Sequence, residues 1–322
     1  MTRASYETVD YSIRPAKAIV RKMIVETVRK LSPFGSLKDY RYVGFGSTYF
    51  GDFLAFHRAF GMHNMISIER EVGDAPRFEF NRPFGCIKIH LGPSTSVLPS
   101  LDWTPRTVLW LDYDDSLDGQ VLADIEYYCS RCPRGSALII TLNARPLVTG
   151  EQIGRQEALA AIDAFSQKIT RDKVPVGLRD TDLLGWKTAD VYHKIIRSQI
   201  QQTLDARNGG IDPGSKMLYN QLFNFRYADG VKMLATGGVF HDEGQRPTMA
   251  ACDLEPLHFL RHDSDAFRIE IPVLTHKERR HIDAQLPVPK VPPLECPGIS
   301  PGDLERYREI YVYFPSFVET ED

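Results

Sequence analysis

No stretch of this sequence approaches the roughly 18 consecutive apolar residues that a bilayer span requires, so no membrane segment is expected. The opening residues, Met-Thr-Arg-Ala-Ser-Tyr-Glu, lack the apolar core of a signal peptide, and cytoplasm is the expected location. Cysteine is sparse. The five present, Cys86, Cys129, Cys132, Cys252 and Cys296, are odd in number and scattered, unlike a secreted disulfide framework, so reduced thiols are expected. Cys129 and Cys132 match C-x-x-C, but no second cysteine pair or histidine pair completes a zinc site, and they are read as packing at a helix end. An excess of one charge is missing too. With 39 basic and 42 acidic residues the net charge is −3, which gives no global attraction to nucleic acid or anionic lipid, although a local basic face could still bind phosphate. No internal repeat of 20–50 residues is visible, which excludes a solenoid.

What is present is enough apolar material for a full α/β core: 43% of 322 residues are hydrophobic. Strand and helix signals alternate from residue 40 onward. Strands are expected at 40–45, 64–69, 86–91, 107–112 and 136–142, with helices near 50–61, 75–81, 94–101 and 118–130 between them. Runs such as Thr107-Val108-Leu109-Trp110-Leu111 are apolar throughout, as a strand covered by helices on both faces requires. Five such units predict a doubly wound, mostly parallel sheet whose ligand crevice lies at the carboxyl ends of the strands.

Three regions flank or interrupt this rhythm. Residues 1–36 form a helical segment, in which Ile13, Val20, Met23, Ile24, Val28 and Leu31 share an apolar stripe while Arg14, Lys17 and Arg21 fall on another face, read as solvated, with a site for phosphate, carboxylate or nucleic acid as the alternative. Within the α/β domain at 37–241, residues 145–216 break the pattern with polar helices around 151–170 and 186–207, read as an insertion over the crevice. Apolar runs at 221–227 and 231–236 around Ala228-Asp229-Gly230 predict an antiparallel hairpin. Residues 242–322 are a proline-rich extension, with an extended connector at 286–293 and a short helix near 301–312.

The most informative segment is Arg41-Tyr42-Val43-Gly44-Phe45-Gly46-Ser47-Thr48-Tyr49-Phe50-Gly51, followed by Met65-Ile66-Ser67-Ile68-Glu69. It reads as strand, glycine turn, helix and a second strand ending in a carboxylate. Gly44 and Gly46 allow a tight turn whose N–H groups can approach a ligand, and Glu69 suits two hydrogen bonds from vicinal ribose hydroxyls.

A parallel β/α sheet completed by a late antiparallel hairpin resembles the Rossmann-like S-adenosylmethionine-dependent methyltransferases over residues 40–241, and in particular bacterial proteins described only as O-methyltransferases. The resemblance implies S-adenosylmethionine as cofactor. Gly44 and Gly46 match the first two glycines of the family's acidic-x-G-x-G-x-G turn, which wraps the methionine part together with Ser47. Thr48 stands where the third glycine would be. Tyr42 replaces the usual acid, whose role would pass to Asp52 or a main-chain contact. Glu69 matches the ribose acid, and Ser94 stands where the family reads the adenine, with capping of the next helix as its alternative role.

The fourth strand ends in Leu111-Asp112-Tyr113-Asp114-Asp115, with Asp118 close behind. Methyl transfer to a hydroxyl or amine needs the acceptor held in line and its proton removed. Asp112 would sit beside the methyl group and also contact the cofactor; Asp114 extends the polar rim. Carboxylates this close repel one another unless something positive intervenes. Asn143 could join Asp112 and Asp114 in an oxygen-rich magnesium or calcium site, or simply turn the strand exit; no metal is assigned. Tyr49 and Phe50 are candidates for the acceptor pocket, whereas His57, His63 and His90 lack ligand-like spacing.

The expected function is thus methyl transfer to an unidentified acceptor, with a hydroxyl favoured. The alternatives are a non-catalytic cofactor-binding subunit of a larger bacterial assembly, which would bring a protein partner, and a nicotinamide-dependent oxidoreductase, since the same glycines and Glu69 serve a dinucleotide. Nucleic acid is a less favoured acceptor, because the strand-four run has no proline signature of amine-methylating DNA enzymes and an aspartate-rich rim repels phosphate.

Overall fold

In the computed structural model, which describes residues 14–148, 155–288 and 293–315, the alternating signals resolve into one eight-stranded sheet. Its strands are β1 (Arg41–Gly44), β2 (Asn64–Glu69), β3 (Ile87–Leu91), β4 (Thr107–Asp112), β5 (Ala137–Asn143), β6 (Met217–Ala228), β7 (Lys232–Asp242) and β8 (Phe267–Ile269). They lie in the order β3-β2-β1-β4-β5-β7-β6-β8. The first five pair in parallel, β7 runs antiparallel beside β5, and β6 pairs antiparallel with β7. This is the expected parallel sheet closed by a late hairpin. The chain crosses from one side of β1 to the other between β3 and β4, so the crevice falls at the carboxyl ends of β1 and β4.

Ten helices accompany the sheet among the described residues: α1 (Pro15–Arg29), α2 (Gly51–Phe60), α3 (Ala75–Asn81), α4 (Ser94–Val97), α5 (Gly119–Arg131), α6 (Arg155–Ile169), α7 (Lys187–Arg207), α8 (Arg246–Ala250), α9 (His276–Asp283) and α10 (Pro301–Ile310). Because strand side chains alternate faces, Val108, Trp110 and Ile139 pack with α1 and α2 in one apolar layer. Leu109, Leu111, Leu138 and Ile140 pack in the other, with α5 and α7. Burial on both faces is why these strands read as unbroken apolar runs.

Among the described residues, none of 145–216 lines the crevice. Tyr192, Ile196 and Ile200 of α7, spaced at four, make a buried stripe that joins Phe165 and Ile169 of α6 and Ile125 of α5 in the second layer. An apolar stripe that continuous is satisfied against the sheet's helical layer, not over a polar cavity. In the C-terminal region β8 pairs in parallel with β6, and Phe259, Phe267 and Ile310 join the first layer. β8 is three residues long, too short for its alternation to stand out in the sequence. The hairpin strands are longer than predicted, since a bulge between Gln221 and Phe223 interrupts the alternation of β6. Ile13, residues 151–154 and residues 289–292 of the proline-rich run lie outside the described residues.

The hairpin tip also holds α1 in place. Arg14 at the N-cap makes no side-chain cap, and first-turn donors that no turn of the helix can satisfy are met from across the fold: Asp229 accepts from the Lys17 N–H at 2.8 Å and the Ala16 N–H at 3.2 Å. Losing a helix cap costs about 1 kcal/mol. Asp229→Ala is therefore expected to lower unfolding stability by about that amount, with Asp229→Asn retaining most of it. Equal stability of the alanine variant and the parent in urea would refute the cap.

Candidate active site

Strand lengths build the site. β1 has only four residues, and Gly44 at its end pairs with Ser67 on one side and Trp110 on the other. Each neighbour continues two residues further, to Glu69 and Asp112. Two carboxylates thus overhang a notch in which the turn from Gly44 to Phe50 sits.

Period-two alternation puts Ser67 and Glu69 on the same face. The Gly46 N–H donates to Glu69 Oε1 and to Ser67 Oγ, both at 2.9 Å, and Ser67 Oγ donates to the same Glu69 oxygen at 2.6 Å. Glu69 is buried. Burial pushes its carboxyl up to about 7, against the pull of the Ser67 hydroxyl and the Gly46 and Ser47 N–H groups. A Cβ on Gly46 would stand 2.5 Å from both Ser67 Oγ and the Phe50 ring, so only glycine lets the turn close on this carboxylate. Ser47 and Phe50 both adopt left-handed backbone, with φ of 49° and 48°, a costly conformation for residues bearing side chains that is kept where surrounding packing enforces it. Thr48 is buried at this turn.

At the β4 side the Lys17 ammonium pairs with Asp112 Oδ2, and Arg21 Nε donates to Asp52 Oδ1 at 2.5 Å. Lys17 and Arg21 are therefore not on a solvated face. Lys17 stands seven residues before Ile24 and eleven before Val28, which at 100° per residue places it within about 20° of each, inside the apolar stripe. That position was the available signal: a lysine amid a buried stripe needs a buried acid, and Asp112 supplies it. Lys17 also lies 5.6 Å from the Trp110 ring. Burial alone would lower its ammonium, but the carboxylates of Asp112 and Asp52 outweigh this and hold it above its ordinary value. Burial raises Asp112 while Lys17 works against the rise. The phenols of Tyr42 and Tyr227 are buried beside these groups, and their oxygens have no hydrogen-bond partner among the described residues.

Gly46, Ser47, Glu69, Lys17, Arg21 and Asp112, with Asp52, Tyr113, Asp114 and Ser94, line one cavity of about 690 Å3, a size suited to a nucleoside-containing ligand. Ser94 does not cap α4. Pro93 holds the N-cap, and the Ser94 hydroxyl donates to Asp124 Oδ2, which also accepts from Tyr113 OH at 2.7 Å. Asp124, on α5, is the member of this network that the sequence spacing did not reveal. Tyr49 lines the cavity, whereas Phe50 is fully buried against Phe53. Asn143 is not among the lining residues; its Oδ1 accepts from the Arg145 N–H at 3.0 Å, turning the strand exit. Cys129 and Cys132 are buried at the end of α5, where Arg207 donates to both their carbonyls, and burial pushes the Cys132 thiol up to about 12.

The residues fit S-adenosylmethionine. Gly46 supplies a cradle that a Cβ would fill, Glu69 Oε2 takes neither the Gly46 nor the Ser67 bond and can meet a diol, and paired cations and carboxylates at the α1 end suit a zwitterionic amino acid group.

Residues 9–322 match the family described as "Putative O-methyltransferase". No curated protein sequence matches the chain. Among solved structures it is similar to the O-methyltransferase from Bacillus cereus in complex with SAH, at 11% identity over 73% of this chain and 86% of that chain, with a TM-score of 0.38. A "putative O-methyltransferase" from Klebsiella pneumoniae aligns at 11% identity over 72% of this chain and 81% of that one, with a TM-score of 0.39. LepI in complex with SAH and a substrate analogue aligns at 10% identity over 63% of this chain, with a TM-score of 0.33, and the chain spans 43% of its length. The family match carries the assignment.

Proposed function

Because the chain belongs to the O-methyltransferase family matched by its residues 9–322, we propose that it transfers a methyl group from S-adenosylmethionine to a hydroxyl oxygen within the cavity at β1 and β4. The observation that carries this reading is the contact between the Gly46 N–H and Glu69 Oε1, which sets a ribose-binding carboxylate directly against a glycine turn. Glu69 receives the ribose hydroxyls. Gly44, Gly46, Ser47 and Thr48 frame the methionyl portion, whose carboxylate and ammonium meet Arg21 and Asp52. Ser94 faces the base, its hydroxyl held by Asp124 behind it.

When bound, the cofactor supplies an electrophilic methyl group on a positively charged sulfur. The protein's part is to align the acceptor oxygen behind that carbon and to take its proton. Asp112 Oδ2 is occupied by the Lys17 ammonium, so Asp112 serves to hold and orient the acceptor hydroxyl. Asp114, exposed at the cavity rim, takes the proton and passes it to solvent. The nicotinamide alternative loses its support, since the strand beside β5 runs antiparallel and does not extend the parallel sheet.

Calorimetric titration with S-adenosylmethionine, S-adenosylhomocysteine and NAD tests the reading. Both methionine derivatives are expected to bind and NAD is not; the reverse would overturn it. Binding without turnover on any hydroxyl acceptor would support the non-catalytic alternative. Affinity should also depend on pH with a defined sign. The ionised Glu69 accepts both ribose hydroxyls, and with its carboxyl near 7 the ionised fraction rises about tenfold between pH 6 and pH 8. Affinity for S-adenosylhomocysteine is expected to rise accordingly, and Glu69→Gln to flatten the profile. A flat parent profile would remove Glu69 from the ribose.

A further inference from the structure

At the opposite end of β2 and β3 from the cavity, the fold gathers three donors whose spacing in the sequence gives no hint of a site. His57 lies near the end of α2, His63 immediately precedes β2, and Cys86 immediately precedes β3. One ring nitrogen from each histidine and the cysteine sulfur all lie within 4.8 Å of one another, and no other such group occurs among the described residues. Glu69, at the far end of β2, is six residues beyond His63, about 20 Å along the strand.

The trio is held by its surroundings. His57 Nδ1 is 2.7 Å from the Met62 carbonyl and 3.8 Å from Cys86 Sγ. The His57 ring packs on Phe84 with centroids 4.0 Å apart, and the two histidine rings meet edge to face at 5.7 Å. His57 and Cys86 are partly buried while His63 is exposed, which gives an ion a route in from solvent.

We infer that His57, His63 and Cys86 form a binding site for a thiophilic divalent cation of the zinc class, separate from the methyl-transfer cavity. Two imidazoles and a thiolate are the donor set of a borderline-soft ion, whereas calcium and magnesium require oxygen. Three protein ligands leave a position for water. On binding, the Cys86 thiol releases its proton to solvent, and the thiolate offsets one of the cation's two charges. The ion joins the end of α2 to the starts of β2 and β3, and β3 is an edge strand paired only with β2. It therefore secures the sheet margin and takes no part in catalysis.

The test uses the full chain, freed of metal, titrated with Co2+ in the spectrophotometer and with Zn2+ in the calorimeter. One equivalent is expected to bind, with a thiolate-to-cobalt charge-transfer band that Cys86→Ser abolishes. His63→Ala, at an exposed position, should weaken Zn2+ by at least about tenfold, since even outer-shell losses cost that much. Zn2+ should raise the melting temperature of the parent and not of Cys86→Ser, while S-adenosylhomocysteine affinity stays unchanged in both variants. Absence of saturable binding at micromolar metal, or one-equivalent binding that survives Cys86→Ser, would overturn the site.

Discussion

Urea unfolding of Lys17→Met is expected to show a loss of about 3 kcal/mol. The Lys17 side chain is 7% exposed and that of Asp112 21% exposed, so removing the ammonium leaves a carboxylate largely cut off from water with no opposite charge. Breaking a buried pair from one side costs about 3–5 kcal/mol, and the partial exposure of Asp112 argues for the lower end. A double variant, Lys17→Met with Asp112→Asn, should recover much of the loss because the orphaned charge goes with its partner. The single variant should also differ in its pH dependence. Without Lys17, burial leaves Asp112 with a raised carboxyl, so stability is retained at acid pH and lost as pH rises through that value. If the single variant stays within about 1 kcal/mol of the parent, Asp112 does not depend on Lys17, and the account of Asp112 as a hydroxyl-orienting group held by that ammonium fails with it.

Glu69→Ala is expected to weaken S-adenosylhomocysteine binding by about 100-fold. A hydrogen bond to a charged group contributes about 1.5–3 kcal/mol, and 1.4 kcal/mol is a factor of ten in affinity, so loss of the two ribose bonds, even at the lower end of that range, reaches about 100-fold. The measurement must separate ligand affinity from folding, because the alanine also leaves the Ser67 hydroxyl without its acceptor and the Gly46 N–H with Ser67 Oγ alone. Glu69→Gln makes the separation. Its amide cannot ionise, so it escapes the cost of burying a charge. In the parent that cost appears as stability present below the ordinary carboxyl value of 4.5 and lost as pH rises through about 7. At pH 8 the glutamine variant should therefore be at least as stable as the parent yet bind more weakly. A glutamine variant that binds as tightly as the parent would move the ribose elsewhere.

The elements that sequence reading located well are those whose pattern is enforced locally. The apolar runs of β4 and β5 must be continuous because both faces are covered. The Asp-Gly tip at residues 229 and 230 announces its hairpin because a tight reversal needs such residues, and Gly230 has φ of 86°. Glu69 could be placed against the glycine turn because strand length and alternation set where it emerges. Lys17 and Arg21 were visible but placed first on a solvated face, since a list of basic residues at helical spacing does not show which acid, 95 positions away for Lys17 and 31 for Arg21, lies opposite. Asp124 had no signal at all. Its role arises from α5 packing beside α4, where Ser94 and Tyr113 converge on one carboxylate.

Local chemistry was therefore enough to specify the order of strands and helices, the glycine turn and the acids at the strand tips, because each follows from backbone sterics and a repeat of two or 3.6 residues. The charge pairing inside the cavity, the cap that Asp229 places on α1 and the meeting of His57, His63 and Cys86 came from the folded arrangement alone. Those contacts join residues far apart in the chain, and their strength depends on exclusion of water, which no short stretch of sequence can produce by itself.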